Sequence, residues 1–201
     1  MNLWNVILSL QVPIIQPCDR YVNSEEELVE AIKALRQSRL KIVLTMGTFD
    51  MAHIGHGRYL REARLAGDVL IVGLDDDEKS RQRKGKNRPV VPENERREMI
   101  AHMRYADLII IKRYNEPKWH LIKQVRPDVL IAVEGTYEPE DIKALGEFCS
   151  EVKVLPRQAE TSTSAKTRRL VMGGIDALIA KLKPRLEEVI ETSYQEVIKE
   201  A

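Results

Sequence analysis

The sequence predicts an α/β fold: a doubly wound parallel sheet with an N-terminal helical lead-in and a C-terminal helical extension. Three observations point there. Five short runs rich in Val, Ile and Leu (residues 42–46, 69–74, 108–111, 129–133 and 152–155) read as strands covered on both faces. Between them lie stretches with apolar residues at helical spacing, 59–65, 93–103, 119–125 and 141–148. The two patterns alternate regularly, as parallel strands joined by crossover helices require. Ligands of such sheets bind beyond the carboxyl ends of the strands, near the point where the winding reverses. The residues just after each run are therefore where chemistry is expected.

The chain opens on an apolar stretch, residues 1–15, interrupted by Asn5, Gln11 and Pro13. It has no basic start and no small-residue cleavage site, and it is short for a bilayer span. It is expected to pack on the body of the protein or against a second copy. Ser24 followed by Glu25, Glu26 and Glu27 marks a helix start, with Ser24 accepting from a first-turn amide while Glu27 reaches back. Leu28, Ile32 and Leu35 then recur at helical spacing. At the far end Ile175, Leu178, Ile179, Leu182, Leu186, Val189, Ile190 and Val197 form an apolar stripe, with Pro184 as a break or kink. The stripe predicts a helix that either packs on its own domain or makes a dimer contact, and a homodimer is expected. The resulting division is a lead-in over 1–40, a main domain over 41–170 and an extension over 171–201.

With 201 residues the chain can bury a real core. Its 32 Lys and Arg nearly cancel 31 Asp and Glu, so no whole-surface field draws it to nucleic acid or to an anionic membrane. No nucleic-acid or membrane partner is expected. Cys18 and Cys149 stand in no metal-ligand spacing; two free thiols in a reducing cytoplasm are expected rather than a disulfide.

The first strand run leads into Gly47-Thr48-Phe49-Asp50, then Met51-Ala52-His53-Ile54-Gly55-His56, with a helix beginning at about Gly55. Histidines three apart at a helix start can point the same way. The amides of such a turn lack intrahelical partners and attract phosphate. Gly47 and Gly55 remove side chains where a ligand approaches the backbone. Attack on the α-phosphate of a nucleoside triphosphate builds charge on the bridging oxygen, and two imidazole N–H donors can stabilise it without a covalent intermediate. Asp50 would orient a histidine or help hold the metal–nucleotide. The plainer alternatives are two surface histidines, or a zinc pair completed by Asp50, although zinc normally takes further ligands.

Placed between a strand and a helix, these ten residues resemble the signature of the cytidylyltransferase-like nucleotidyltransferases, whose fold is Rossmann-like. The resemblance covers about residues 41 to 170 and implies NMP transfer from a nucleoside triphosphate to a phosphorylated small molecule. It also implies Mg2+ with the nucleotide. His53 and His56 are then catalytic, and Gly47, Thr48, Phe49, Asp50 and Gly55 bind nucleotide. The basic run Arg81-Gln82-Arg83-Lys84-Gly85-Lys86-Asn87-Arg88-Pro89 would alone read as a solvated loop. It leaves the same edge of the sheet, however. In the family a lysine before an Arg-Pro pair reaches the phosphates and an arginine on the next helix lies at the acceptor site. The matching residues are Lys84, with Lys86 a rival, and Arg96. Leu155-Pro156-Arg157 and the hydroxyl cluster Thr161-Ser162-Thr163-Ser164 resemble the family's triphosphate clasp. That implies phosphate contacts from Arg157, Ser162 and Thr163, with Arg168 and Arg169 as weaker candidates; the hydroxyls would otherwise simply cap a helix.

Within the family the stretch from Ser24 to Thr45, Lys84-Gly85 ahead of Arg88-Pro89, Arg126-Pro127-Asp128-Val129-Leu130 and Tyr137-Glu138-Pro139-Glu140-Asp141-Ile142 resemble the nucleotidyltransferase part of bacterial ADP-heptose synthase. The chain departs from that form after the fourth strand, where Ala132-Val133-Glu134-Gly135-Thr136-Tyr137 replaces a Lys-Gly-Gly-Asp-Tyr type of segment. Met46 and Thr48 also replace an asparagine and a cysteine. Thr48 and Leu155-Pro156-Arg157 are more similar to glycerol-phosphate cytidylyltransferase. Glu134, in the loop expected to read the base, can accept from the exocyclic amine of adenine or of cytosine. ATP and CTP both remain open, as does the acceptor. Two further readings are an FAD synthetase-like adenylyltransferase and a nucleotide-sensing module without turnover.

Overall fold

Six parallel strands form one sheet in the order β1-β4-β3-β2-β5-β6. They are β1 (Tyr21–Val22), β2 (Ile42–Gly47), β3 (Val69–Asp75), β4 (Leu108–Lys112), β5 (Val129–Val133) and β6 (Glu151–Leu155). The computed structural model describes residues 16–159, 171, 174–175 and 178–190. The chain divides into two compact units, Met1–Glu160 and Thr161–Ala201, and the sheet belongs to the first. From β2 the chain winds through β3 to β4. It then returns to the other side of β2 for β5 and β6, so the winding reverses between β2 and β5. Parallel strands paired on both sides lose both faces to water, which is why their sequences are continuous apolar runs.

Successive residues serve opposite layers. Val43, Leu70, Val72, Leu74, Ile109 and Ile131 join one core with Tyr59, Leu60 and Ala63 of α2 (Ile54–Arg64) and Ile100 and Ala101 of α4 (Glu93–His102). Ile42, Leu44, Ile71 and Leu130 join the other core. There they meet Leu28 of α1 (Glu25–Gln37), Leu121, Ile122 and Val125 of α5 (His120–Val125), and Leu145 of α6 (Pro139–Leu145). Two helical layers around one sheet is the doubly wound arrangement the alternation predicted.

The start of α1 follows the predicted cap with one change. Ser24 Oγ accepts from the Glu27 amide at 3.2 Å, but the Glu27 carboxylate turns back to the Asn23 amide at 2.7 Å. Besides a single 3-10 turn at Pro17–Arg20, a strand and a helix lie outside the five-run pattern. The short β1 adds a strand beside β4, with Tyr21 opposite Ile109. The run Asp77–Lys84 is a helix, α3, capped by Asp76 accepting from the Lys79 amide. Arg81, Arg83 and Lys84 thus occupy a last helical turn, where cations meet the negative end of the dipole, rather than an open loop. Cys18 is exposed and Cys149 buried, both as free thiols. In the second unit residues 178–190 are helical, and Leu178, Ile179, Leu182, Leu186, Val189 and Ile190 are exposed on it. The apolar stretch 1–15 lies outside the described residues.

Candidate active site

The loop between β2 and α2 is held by its own side chains. His53 is the residue preceding α2, and its Nδ1 accepts from the Gly55 amide at 3.1 Å. His56 Nδ1 accepts from the His53 amide at 3.4 Å. The rings stack with centroids 4.0 Å apart. With both Nδ1 atoms used as acceptors, the neutral tautomer of each ring carries its hydrogen on Nε2. The sequence placed open amides at this helix start. Instead the His56 amide turns to the His53 carbonyl, and Gly55 to the His53 ring. The partial positive charge of the turn is thus handed outward through imidazole.

The glycines make room for these rings rather than for a ligand alone. A Cβ at Gly55 would lie 2.8 Å from His53 Cε1, and one at Gly47 would lie 3.1 Å from Phe49 Cε2. Phe49 is buried and meets His56 edge-on at 5.4 Å. Phe49 and Met51 both adopt positive φ, 51° and 47°, a left-handed backbone that non-glycine residues hold only where surrounding contacts enforce it. Asp50 supplies those contacts. Its buried carboxylate accepts from the Val90 and Val91 amides at 3.0 Å and from Arg88 at 2.9 Å. Burial raises the Asp50 pKa, but these three donors outweigh it and hold the carboxyl below its ordinary value. Asp50 therefore ties the histidine loop to the loop after α3.

Lys84 ends α3 and is followed by Gly85 at φ 99°. Although the residue is exposed, partial desolvation, then the neighbouring Arg83, lowers its pKa; Asp75 and Asp50 pull the other way. Its ammonium thus senses the carboxylate of the histidine loop. Lys86 is exposed in the turn that follows. Beyond β6, Arg157 is exposed. The segment after it lies along the start of α2, with Gln158 O accepting from Arg58 at 3.5 Å and Ala159 Cβ 3.0 Å from a Cβ placed on Gly55. Glu134 is exposed in the turn after β5, its amide bonded to Leu155 O at 3.1 Å, and Gly135 there has φ 76°. The structure thereby gathers the histidine loop, Lys84, Glu134 and Arg157 at one rim, around the β2–β5 reversal. Ser162, Thr163, Arg168 and Arg169 lie outside the described residues.

Two expected nucleotide or acceptor contacts turn inward. Thr48 is buried, donating from Oγ1 to Asp75 at 3.1 Å. Arg96 is buried beneath the loop: Nη1 donates to the carbonyls of Thr48 (2.6 Å) and Asp75 (2.9 Å), Nε to Val91 O (2.8 Å) and Nη2 to Asp77 (2.7 Å). An acceptor contact would require that guanidinium to leave partners that now buttress two loops. Thr45, Tyr59 and the Ile131 carbonyl form a further buried knot, the hydroxyls 2.6 Å apart, and burial pushes the Tyr59 hydroxyl up to about 12.

Sequence reasoning missed a cavity beside this rim. It encloses about 460 Å³ and runs from Met46 of β2 toward Lys112 of β4. Arg83 of α3, Trp119 at the start of α5 and Tyr137 after β5 form its walls. Behind two of these lining cations Asp75, fully buried, receives Lys112 at 3.0 Å and Arg83 at 2.7 Å. Burial raises the Asp75 carboxyl, but Lys112 and then Arg83 hold it below the ordinary range. Burial lowers Lys112 despite Asp75. The available signal was position: Asp75 and Lys112 each close an apolar run at a strand's carboxyl end. Among the described residues no group of three or more His, Cys, Asp or Glu is placed to hold a metal ion. None of their helices is long and apolar enough to cross a membrane.

The family described as cytidylyltransferase-like matches residues 44–189. The bifunctional protein HldE of Nitratiruptor is 32% identical over 154 residues, 77% of this chain and 33% of its own. That of Cronobacter sakazakii is 40% identical over 121 residues, 60% of this chain and 25% of its own. The chain spans about a third, or less, of the length of these curated relatives. Among solved structures, a pantoate-β-alanine ligase from Francisella tularensis aligns with TM-score 0.55 at 15% identity, over 72% of this chain and 68% of that one. A lipopolysaccharide core biosynthesis protein from Thermoplasma volcanium aligns with TM-score 0.51 at 23% identity, over 61% and 99%. These two establish likeness of fold.

Proposed function

The chain belongs to the cytidylyltransferase-like family, and on that premise we propose that it transfers the NMP part of ATP or CTP to a phosphorylated sugar or polyol and releases pyrophosphate. One observation carries this reading: two stacked imidazoles, each accepting a backbone amide at Nδ1 and so left with Nε2 as donor, stand at the winding reversal in the loop whose Asp50 carboxylate acts on Lys84. An acceptor phosphate oxygen attacks the α-phosphorus in line, forming one P–O bond as the bond to the bridging oxygen breaks. Pyrophosphate leaves toward His53, His56 and Lys84, whose donors neutralise the growing charge. Glu134 would accept from the base, and Arg157 with Ser162 and Thr163 would hold phosphate. Mg2+ would supply further charge neutralisation on the triphosphate. Asp50 fits poorly as its ligand, because Arg88 and two amides already occupy its oxygens. The ion would instead be held by phosphate oxygens and water.

The resemblance to ADP-heptose synthase and the HldE relatives support a sugar-phosphate acceptor. Pyrophosphate release, measured with ATP and CTP separately over a panel of phosphorylated acceptors, tests the activity. His56→Ala should lower turnover by about 10²–10³ with the fold intact. Turnover equal to wild type would remove His56 from the mechanism. The aromatic walls at Trp119 and Tyr137 also support a flavin phosphate acceptor as second reading. Tight FMN binding, with FAD formed from ATP, would select it. A homodimer joined through the C-terminal stripe, and a cytoplasmic location suited to two free thiols, complete the proposal.

A further inference from the structure

The 460 Å³ cavity is lined by more positive charge than the acids on its wall and the buried Asp75 behind it offset. Asp75 is a single buried acid that receives both Lys112 and Arg83. Lys79 lines the same cavity and spends one donor on the Arg113 carbonyl at 3.0 Å. Of the two acids on the wall, Asp141 is paired with Lys118 at 2.8 Å, while Glu116 takes only the neutral Arg113 amide, at 2.7 Å, and keeps its charge. With Lys118 paired to Asp141, three cations (Lys79, Arg83 and Lys112) stand against two carboxylates, Asp75 and Glu116, an excess of one positive charge. Lys112 gives Asp75 one of its three donors, and Arg83, half exposed, gives one of its five.

The position of this charge matters as much as its sign. His53, His56 and Lys84 do not line the cavity. Lys112 pairs with Asp75 across β3–β4. It therefore stands two strand spacings, about 10 Å, to the side of the histidine loop that follows β2. An anion resting on Lys112 and Arg83 is thus a different group from a phosphate attacking beside the imidazoles. The lysine reaches this place because β3 carries Gly73, where a Cβ would lie 2.8 Å from Lys112 Cδ and 2.6 Å from Leu121 Cδ2.

We propose that the acceptor carries a second anionic group, a phosphate or a carboxylate besides the phosphate that reacts, and that Lys112, Arg83 and Lys79 hold it over Asp75. The proposal rests on the nucleotidyltransferase reading for the word acceptor; the anion site itself is tested without turnover. Calorimetry would compare matched probes on the whole chain: glycerol 3-phosphate against 3-phosphoglycerate, and fructose 6-phosphate against fructose 1,6-bisphosphate. In at least one pair the doubly anionic probe should bind about tenfold tighter or more, the gain of a charge-assisted contact. Lys112→Met should reduce that ratio toward one, with ATP and CTP affinities unchanged. Lys79→Ala, a milder change at the cavity wall, should reduce it in part and guards against misfolding of the first variant. Equal binding within both pairs, no binding of any probe, or a ratio that survives both substitutions would overturn the proposal. Failure of the transferase reading shows separately, as absent nucleotide binding and absent pyrophosphate release.

Discussion

At Asp50 the amides of Val90 and Val91 and the guanidinium of Arg88 converge on one buried carboxylate. The positive φ values on either side of it make sense only with that anchor in place. Because the folded pKa lies below the ordinary 3.8, the anchor contributes full stability above the unfolded value and loses it as pH falls through the folded one. Asp50→Asn should therefore be less stable than wild type near neutrality, on the order of 1–3 kcal/mol. The gap should narrow in acid, as read by denaturant unfolding at a series of pH values; a constant gap would show that charge is not what holds the loop. In the sequence Asp50 read as a partner for histidine or metal–nucleotide. Its true partners lie about forty positions on, with Val90 and Val91, and no local pattern announces a side chain that caps distant amides. The same blindness applies to Arg96, whose helix was legible but whose burial was not.

Among the elements, α2 shows how far periodicity reaches. The strand before it, the turn and the two histidines were legible, since Gly and His at a strand–helix junction leave few alternatives. That His53 would cap its own helix through a ring nitrogen was not. Gly55→Ala tests the arrangement. Alanine favours a helix interior by about 1 kcal/mol over glycine, yet its Cβ would press the His53 ring at 2.8 Å. We expect a melting temperature within a few degrees of wild type and turnover lowered about tenfold or more, as misplaced catalytic groups cost rate before stability. A variant with normal turnover would show that the ring's fold-back is incidental. Helix α3 was hidden for a different reason: it is polar on every side, so hydrophobic spacing had nothing to detect. Only its acidic start and basic end mark it.

For the whole molecule, the alternation of runs specified a doubly wound sheet, and the edge strand β1 escaped because two residues carry no period. The β2–β5 reversal then explains why stretches distant along the chain share one rim. In the second unit Ile175, Ile179, Leu182, Leu186 and Val189 recur in a four-three rhythm and are exposed, the spacing of a two-helix seam. Sedimentation equilibrium should find a dimer that Leu182→Glu converts to monomer; a wild-type monomer at micromolar concentration would assign the stripe to its own chain.

The clasp at Asp50 also makes the molecule its own recorder. Two amide hydrogens of one loop can trade with deuterated solvent only when the carboxylate of the other lets them go. Their protection therefore reports how often the histidine turn swings loose. Adding a nonhydrolysable nucleotide should slow both exchanges together and by the same factor. Val90 and Val91 responding by different factors would mean that the two loops breathe independently.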